Sequence, residues 1–364
     1  METTWKQIVY DVANAIREKL GNTDKIPVGE LASKIKELGG SGFPNGTEWT
    51  QSNITSGTFR SLCYANGLWV AGKYRNGIYF STDGKNWESA IVSGITFNTI
   101  RYADNIWVAT SNDEGLFYST DGTIWEQSNI KSGTFQDVYN ANDVWVAGGH
   151  NGSGNNTDGL FYSTDGKYWT QSNISTNTFT CIYNAKGLWL AGSNGSSTRG
   201  IYYSTNGKSW TKATLDVPIY TIYYTNEFWV AGSSAGRVYY SRDGKAWFLA
   251  STPNEVNTVH FIYKANNLCV MGASGLYYSE DNGISWIPSN INSGSFTNIY
   301  YANGIWVACE SMYGRGVYYS IDGKNWEQSN ITSEYCNIAY NENGIWVLAS
   351  GAGLCYSVTW EPSS

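Results

Sequence analysis

Histidine, methionine and proline are scarce in this chain, at 2, 3 and 6 among 364 residues. Two imidazoles, His150 and His260, leave little with which to build a zinc site or a Ser–His–acid relay. The six cysteines (63, 181, 269, 309, 336 and 355) show no Cys-x-x-Cys spacing. Each sits in an apolar, strand-like run, so they read as reduced, buried thiols, and no metal or cofactor is expected. No apolar run nears the ~18–20 residues that span a bilayer, which argues against membrane insertion. The opening Met1-Glu2-Thr3-Thr4-Trp5-Lys6 has neither a basic n-region nor an apolar h-region, so no secretory signal is expected. A formal charge of −7 offers no global means of neutralising phosphates and speaks against a nucleic-acid partner.

What is abundant is glycine (40), tryptophan (17) and tyrosine (28). That is material for short strands and tight turns rather than helices. Residues 1–38 are the exception. Trp5, Ile8, Val9, Val12, Ile16 and Leu20 fall at helical spacing, and Gly21 is a natural stop. Val28, Leu31, Ile35 and Leu38 suggest a second, shorter helix. Gly39-Gly40-Ser41-Gly42 then opens a linker over 39–48. Two helices in so few residues bury too little to stand alone, so they are expected to dock or self-associate.

From Trp49 the chain repeats. The phrase Ser81-Thr82-Asp83-Gly84-Lys85-Asn86-Trp87 recurs at 119–125, 163–169, 204–210, 241–247, 279–286 and 320–326. Its tryptophans, counted from Trp49, stand 37–44 residues apart. A period near 40 holding several short strands is the signature of propeller blades. One unit parses by its turns. A strand from Phe59 to Tyr64 ends at Asn66-Gly67, a hairpin signal. Leu68 to Gly72 is apolar on both faces, as a strand between neighbouring blades must be. Gly77 to Ser81 follows, turns at Asp83-Gly84, and leads to a fourth strand, Trp87 to Val92. Eight such units are counted, but the strand at Trp49–Ile54 precedes the first and the last lacks its own. The expected fold is therefore an all-β, closed propeller of about eight four-stranded blades over 49–360, its first strand completing the last blade; seven blades would follow if one unit packed irregularly. Closure removes the free sheet edges that invite aggregation.

The recurring corner is expected to be mechanical. The carboxylate accepts turn amides, glycine supplies a positive φ, and the indole buries about 2–3 kcal/mol of apolar surface. The paired positions are Asp83 with Trp87, Asp121 with Trp125, Asp165 with Trp169, Asn206 with Trp210, Asp243 with Trp247, Asp281 with Trp286, and Asp322 with Trp326. One or two carboxylates per corner are too few for calcium, which wants six to eight oxygens. The sixth copy, Ser279-Glu280-Asp281-Asn282-Gly283-Ile284-Ser285-Trp286, resembles the Asp-box of sialidases and other propellers. That resemblance implies that the corner lies on the face opposite a ligand site.

Two longer phrases, Leu160 through Ile174 and Gly304-Ile305-Trp306-Val307-Ala308, resemble repeats of tail-associated proteins of bacteriophages that infect Firmicutes-type gut bacteria. The run Ala13 through Ile26 is similar to an attachment module at the head of many such proteins. The resemblance implies a virion protein, made in the host cytoplasm. Its first 38 residues would bind other tail proteins as a homo-oligomer, and its propeller would attach to a cell-surface glycan of a bacterial host. Two other readings stand beside it: a virion-associated glycan-cleaving enzyme, and a purely structural tail or decoration protein.

The loops between second and third strands differ while the strands around them are nearly copied, which marks them as candidates for recognition. Tyr74, Arg75, His150, Asn151, Asn155, Asp158, Arg199, Arg237, Tyr313 and Arg315 suit a sugar ligand, rings stacking on pyranose faces and amides or guanidiniums holding hydroxyls. The connections between blades repeat Gln51-Ser52-Asn53-Ile54, which fits either a turn requirement or several equivalent shallow sites. An enzyme has less to stand on. The Arg-Ile-Pro stretch of sialidases is absent, and Asp113, Glu114 and Asp158 show no spacing that singles out a hydrolytic pair. His260 reads as a strand residue.

Overall fold

The computed structural model describes residues 46–150, 158–195, 198–234, 236–253, 256–311, 316–332, 336–342 and 344–358. The helices expected within 1–38, and linker residues 39–45, lie outside them. Thirty-two strands form eight antiparallel sheets of four. Blade 1 comprises β2 (Phe59–Ala65), β3 (Leu68–Lys73), β4 (Gly77–Ser81) and β5 (Glu88–Ser89), paired in that order. The innermost strands of blades 2 to 7 are β6 (Phe97–Ala103), β10 (Thr134–Ala141), β14 (Phe179–Ala185), β18 (Ile219–Tyr224), β22 (Phe261–Ala265) and β26 (Phe296–Ala302). Blade 8 is β30 (Cys336–Glu342), β31 (Ile345–Ser350) and β32 (Gly353–Val358), completed by β1 (Thr50–Gln51) with Thr50 opposite Tyr356. Each outermost strand is only two residues long, shorter than the six expected at 87–92. Past Ser89 the backbone leaves the ladder: the Ala90 amide still reaches Ile78 O at 2.8 Å, and the chain then turns toward the next blade.

Tryptophan decides where the core sits. Trp69, Trp107, Trp145, Trp189, Trp306 and Trp346, all on second strands, are fully buried between blades. Burying a ring of that size is among the largest single contributions a side chain makes to such a core. The corner tryptophans fill the outer layer, Trp87 at 3% exposure and Trp326 at 2%. Every corner repeats one set of bonds. In the first, Ser81 Oγ donates to Asp83 Oδ1 at 2.9 Å, and Asp83 Oδ1 accepts the amides of Lys85 and Asn86 at 2.8 Å each. The Trp87 indole N–H then donates to Gly84 O at 3.1 Å.

The Gln-Ser-Asn-Ile phrase proves to be joinery. Asn53 Nδ2 donates to Trp87 O at 2.9 Å while Trp87 N donates to Asn53 Oδ1 at 2.8 Å, so one amide side chain clasps the next blade's corner. Asn129, Asn173, Asn290 and Asn330 hold Trp169, Trp210, Trp326 and Trp49 in the same way. Ser52 Oγ accepts the Ile54 amide and Gln51 Nε2 donates to Ile54 O. These side chains connect blades, which meets the turn requirement.

One cysteine expectation is corrected. Cys309, on β27 (Ile305–Glu310), and Cys336, on β30, form a disulfide with Cα atoms 4.9 Å apart. Strands from neighbouring blades face each other at one height, a meeting that a separation of 27 positions conceals in the sequence. Cys63, Cys181 and Cys269 are free thiols, and the Cys355 thiol donates to Gln51 Oε1 at 3.4 Å.

Candidate recognition face

In an antiparallel four-stranded meander, the first and third turns lie at one end of the sheet. The middle loop and the exit to the next blade lie at the other. The corners and the Asn66-Gly67 type of hairpin therefore share one face, and the variable loops share the opposite one, here called the loop face. Every innermost strand begins on that face.

Seven innermost strands begin with a register shift, as between Phe59 and Ser61 or between Phe135 and Asp137. A β-bulge leaves one residue unpaired and re-aims its side chain. The residues so released are Arg60, Asn98, Gln136, Thr180, Tyr220, Thr297 and Asn337. In blade 6, His260 takes the equivalent place just before β22, its amide donating to Gly272 O at 3.0 Å. The result is a ring of eight side chains of six kinds around the mouth of the central channel.

Below that mouth the channel widens into a cavity of 540 Å³. Its wall carries a girdle of tyrosines at one register position: Tyr139, Tyr183, Tyr223, Tyr263, Tyr300 and Tyr340. Successive ring centroids are 4.9–5.6 Å apart. Blades 1 and 2 interrupt it with Cys63 and Arg101, which face Val70 and Val108 as the tyrosines face their partners. Arg101 lies 5.4 Å over the Tyr139 ring and 4.0 Å from Asp137. Burial pushes the Asp137 carboxyl up, and the Arg101 charge and the amides of Ile182 and Val138 only partly offset that.

Four consecutive ring residues meet in one pocket of 350 Å³, lined by Gln136, His150, Thr180, Asn194, Tyr220 and His260. Both histidines of the chain are here. His150 Nδ1 is buried and has no hydrogen-bond partner among the described residues. Burial pushes the His260 imidazole below its usual value, so at neutral pH it is an uncharged ring with one donor and one acceptor. Thr180 is already committed, donating to Ile219 O at 2.6 Å. With no Asp, Glu, Lys or Arg in its lining, the pocket is suited to hydroxyls and amides, and the Tyr220 ring offers a flat apolar surface.

The residues expected from the sequence are distributed unevenly. His150 lines the pocket. Tyr74 and Arg75 sit together on the blade 1 loop with Arg60, whose guanidinium is 4.7 Å over the Tyr74 ring. Asp158 contributes only its carbonyl, which accepts from Gln171 Nε2 at 3.0 Å. Arg199 and Arg237 are exposed and do not line the pocket. Asn151, Asn155, Tyr313 and Arg315 lie outside the described residues. Missed altogether were Arg60, Gln136, Asn194, Tyr220 and the exposed side of His260. Among the described residues, no three His, Cys, Asp or Glu side chains group so as to hold a metal.

Neither a protein-family model nor a curated protein sequence matches the chain. Solved structures do match in shape. The computationally designed Ika8 protein aligns with a TM-score of 0.67 at 11% identity, over 86% of this chain and 100% of its own. The Dos1 propeller aligns at 0.64 and 11%, over 87% and 96%. YCF48 bound to a D1 peptide aligns at 0.55 and 13%, over 88% and 98%. The likeness is one of fold alone. It makes this chain an eight-bladed propeller and says nothing of its ligand.

Proposed function

We propose that this protein is a host-attachment protein of a bacteriophage tail, and that the loop face of its propeller binds a cell-surface glycan. The observation that carries the binding half is the pocket between Gln136 and His260. Its amide, hydroxyl and imidazole donors and acceptors, one of them unpartnered among the described residues, and its tyrosine platform match the hydroxyl-rich, flat-faced chemistry of a sugar. The attachment half is supported by the sequence resemblance of the repeats and of residues 13–26 to tail-associated phage proteins. Residues 1–38 are the part assigned to other tail proteins and to homo-oligomer formation. Several copies acting together raise a weak single-site affinity by effective concentration. The test is a glycan array probed with the full-length chain, alongside Tyr220→Ala. Binding that the substitution weakens supports the reading; an array with no signal, together with no labelling of bacterial cells, rejects it.

A further inference from the structure

We propose that Arg60, Tyr74 and Arg75 form a receptor for an anionic group on the loop face, so that the ligand held there carries a carboxylate or a phosphate. This names the ligand class of the glycan reading above and rests on it, although anion capture is measurable without any glycan.

Two guanidiniums stand within 5.0 Å of one tyrosine ring, Arg60 at 4.7 Å and Arg75 at 5.0 Å from its centroid. The ring itself is 37% exposed. Among the described residues, no carboxylate lies within 4.0 Å of either arginine, and the recorded ion pairs lie elsewhere. Gathering like charges without a counter-charge is unfavourable for the free protein. It becomes favourable when an anion arrives, because a guanidinium presents a planar fork of donors that fits an oxyanion.

Both arginines are held in place. Arg60 donates to Asn98 Oδ1 at 2.9 Å, and Asn98 is itself fixed by donating to Asn112 Oδ1 and to Phe135 O. That uses one of the five guanidinium donors of Arg60. Arg75 has a left-handed φ of 60°, and its amide donates to Thr96 Oγ1 at 2.9 Å. The neighbouring blade builds the same turn with Asp113, at φ 67° and with its amide on Thr134 Oγ1. The turn thus forms equally well with a side chain of opposite charge, so the fold does not require arginine at position 75. Nor does it require arginine at 60, where other blades place Asn, Gln, Thr, Tyr or His.

Lys73, next to Tyr74 in the chain, is a further cation of this blade. It is 7% exposed, with its ammonium 5.4 Å and 5.1 Å from the ring centroids of Phe59 and Tyr79. Blades 2, 4 and 5 carry Ser111, Ser193 and Ser233 at the same register position. Three cations within sixteen residues of a chain whose net charge is −7 cannot be ascribed to a basic composition.

The experiment follows the side-chain Nε–Hε resonances of the full-length chain during titration with inorganic phosphate, then acetate, then glucose. Saturable shifts of Arg60 and Arg75 with a dissociation constant on the order of 10 mM are expected for phosphate, acetate or both, and none for glucose. Response to one anion alone identifies the source as phosphate or carboxylate. Arg75→Gln, at an exposed site, should weaken binding about tenfold without moving the melting temperature. Absence of a saturable shift with either anion overturns the inference. On the glycan array, acidic glycans should lose binding to Arg75→Gln while neutral ones do not. Hits that are all neutral and indifferent to Arg75→Gln overturn the inference and leave the glycan reading standing. Anion binding beside an empty array does the reverse.

Discussion

Asn330 holds the backbone of Trp49 from 281 residues away, accepting its amide at 2.8 Å and donating to its carbonyl at 2.9 Å. The same clasp joins Asn290 to Trp326 within the continuous chain. Chemically the two are alike; topologically only the first closes the ring. Asn330→Ala and Asn290→Ala should each cost about 1–3 kcal/mol, since a buried backbone pair loses its partner. Only Asn330→Ala should also loosen β1, with proteolytic cleavage near Gly46–Gln51 accelerated over both wild type and Asn290→Ala. Equal cleavage in all three proteins would contradict a closing role for the clasp.

Much of this architecture was readable because mechanical necessity copies it. The spacing of tryptophans, the Asn-Gly turns and the orphan strand at Trp49 led to eight blades with a borrowed edge. The site was less readable because it arises from an irregularity. Phe59 and Leu62, or Phe135 and Val138, are core residues three apart where a plain strand places them two apart. That extra residue is the bulge, and it is what delivers Arg60 and Gln136 to the channel mouth. The tyrosine girdle was not read from the sequence, although it leaves a trace there, an aliphatic residue followed by tyrosine in Val138-Tyr139, Ile182-Tyr183 and Ile262-Tyr263. The Cys309–Cys336 disulfide was not legible, because it joins strands of different blades, and nothing in either strand's own pattern signals which residue of the next blade it will face.

The carboxylates of the corners make stability depend on acid. Burial acts to raise the Asp83 pKa, but hydrogen bonds from the Asn86 amide and side chain, the Lys85 amide and the Ser81 hydroxyl outweigh it and bring the value from 3.8 to about 2. Asp121, Asp165, Asp243, Asp281 and Asp322 are lowered as well. A carboxyl whose folded value is depressed binds fewer protons when native than when unfolded. Its stabilisation is present above the unfolded value and is lost as pH falls through the folded one. The melting temperature should therefore drop steeply between about pH 4 and pH 2. Asp83→Asn should reduce that slope in melting curves taken across the range, and an unchanged slope would refute the assignment.

Glycine at position 77 is dictated by its surroundings, whereas glycine at 67 is dictated by φ alone. A Cβ on Gly77 would stand 1.7 Å from Val92 O, on top of a φ of +83°. Gly67, at φ +75°, has nothing within 4 Å. Gly67→Ala should cost roughly 1 kcal/mol, the ordinary penalty for a left-handed L-residue. Gly77→Ala must displace the connection to blade 2 and should cost more than twice as much, read from denaturant midpoints. Equal costs would mean that the connection gives way freely.

The pocket at Tyr220 and His260 carries its own pH signature. Because burial holds His260 below the ordinary histidine value, the ring stays neutral through the physiological range, and glycan affinity should be flat there. Acidification below the usual histidine value protonates it and places a charge where the sugar needs an acceptor, so affinity should fall on the acid side only. His260→Gln keeps a donor and an acceptor without a titrating group, and should retain binding while abolishing that acid limb. Tyr220→Ala should weaken binding about tenfold on both sides of that limb, since what it removes is an apolar ring face. Isothermal titration with the tightest glycan from the array separates the two effects. An acid limb that persists in His260→Gln would show that some other group governs it.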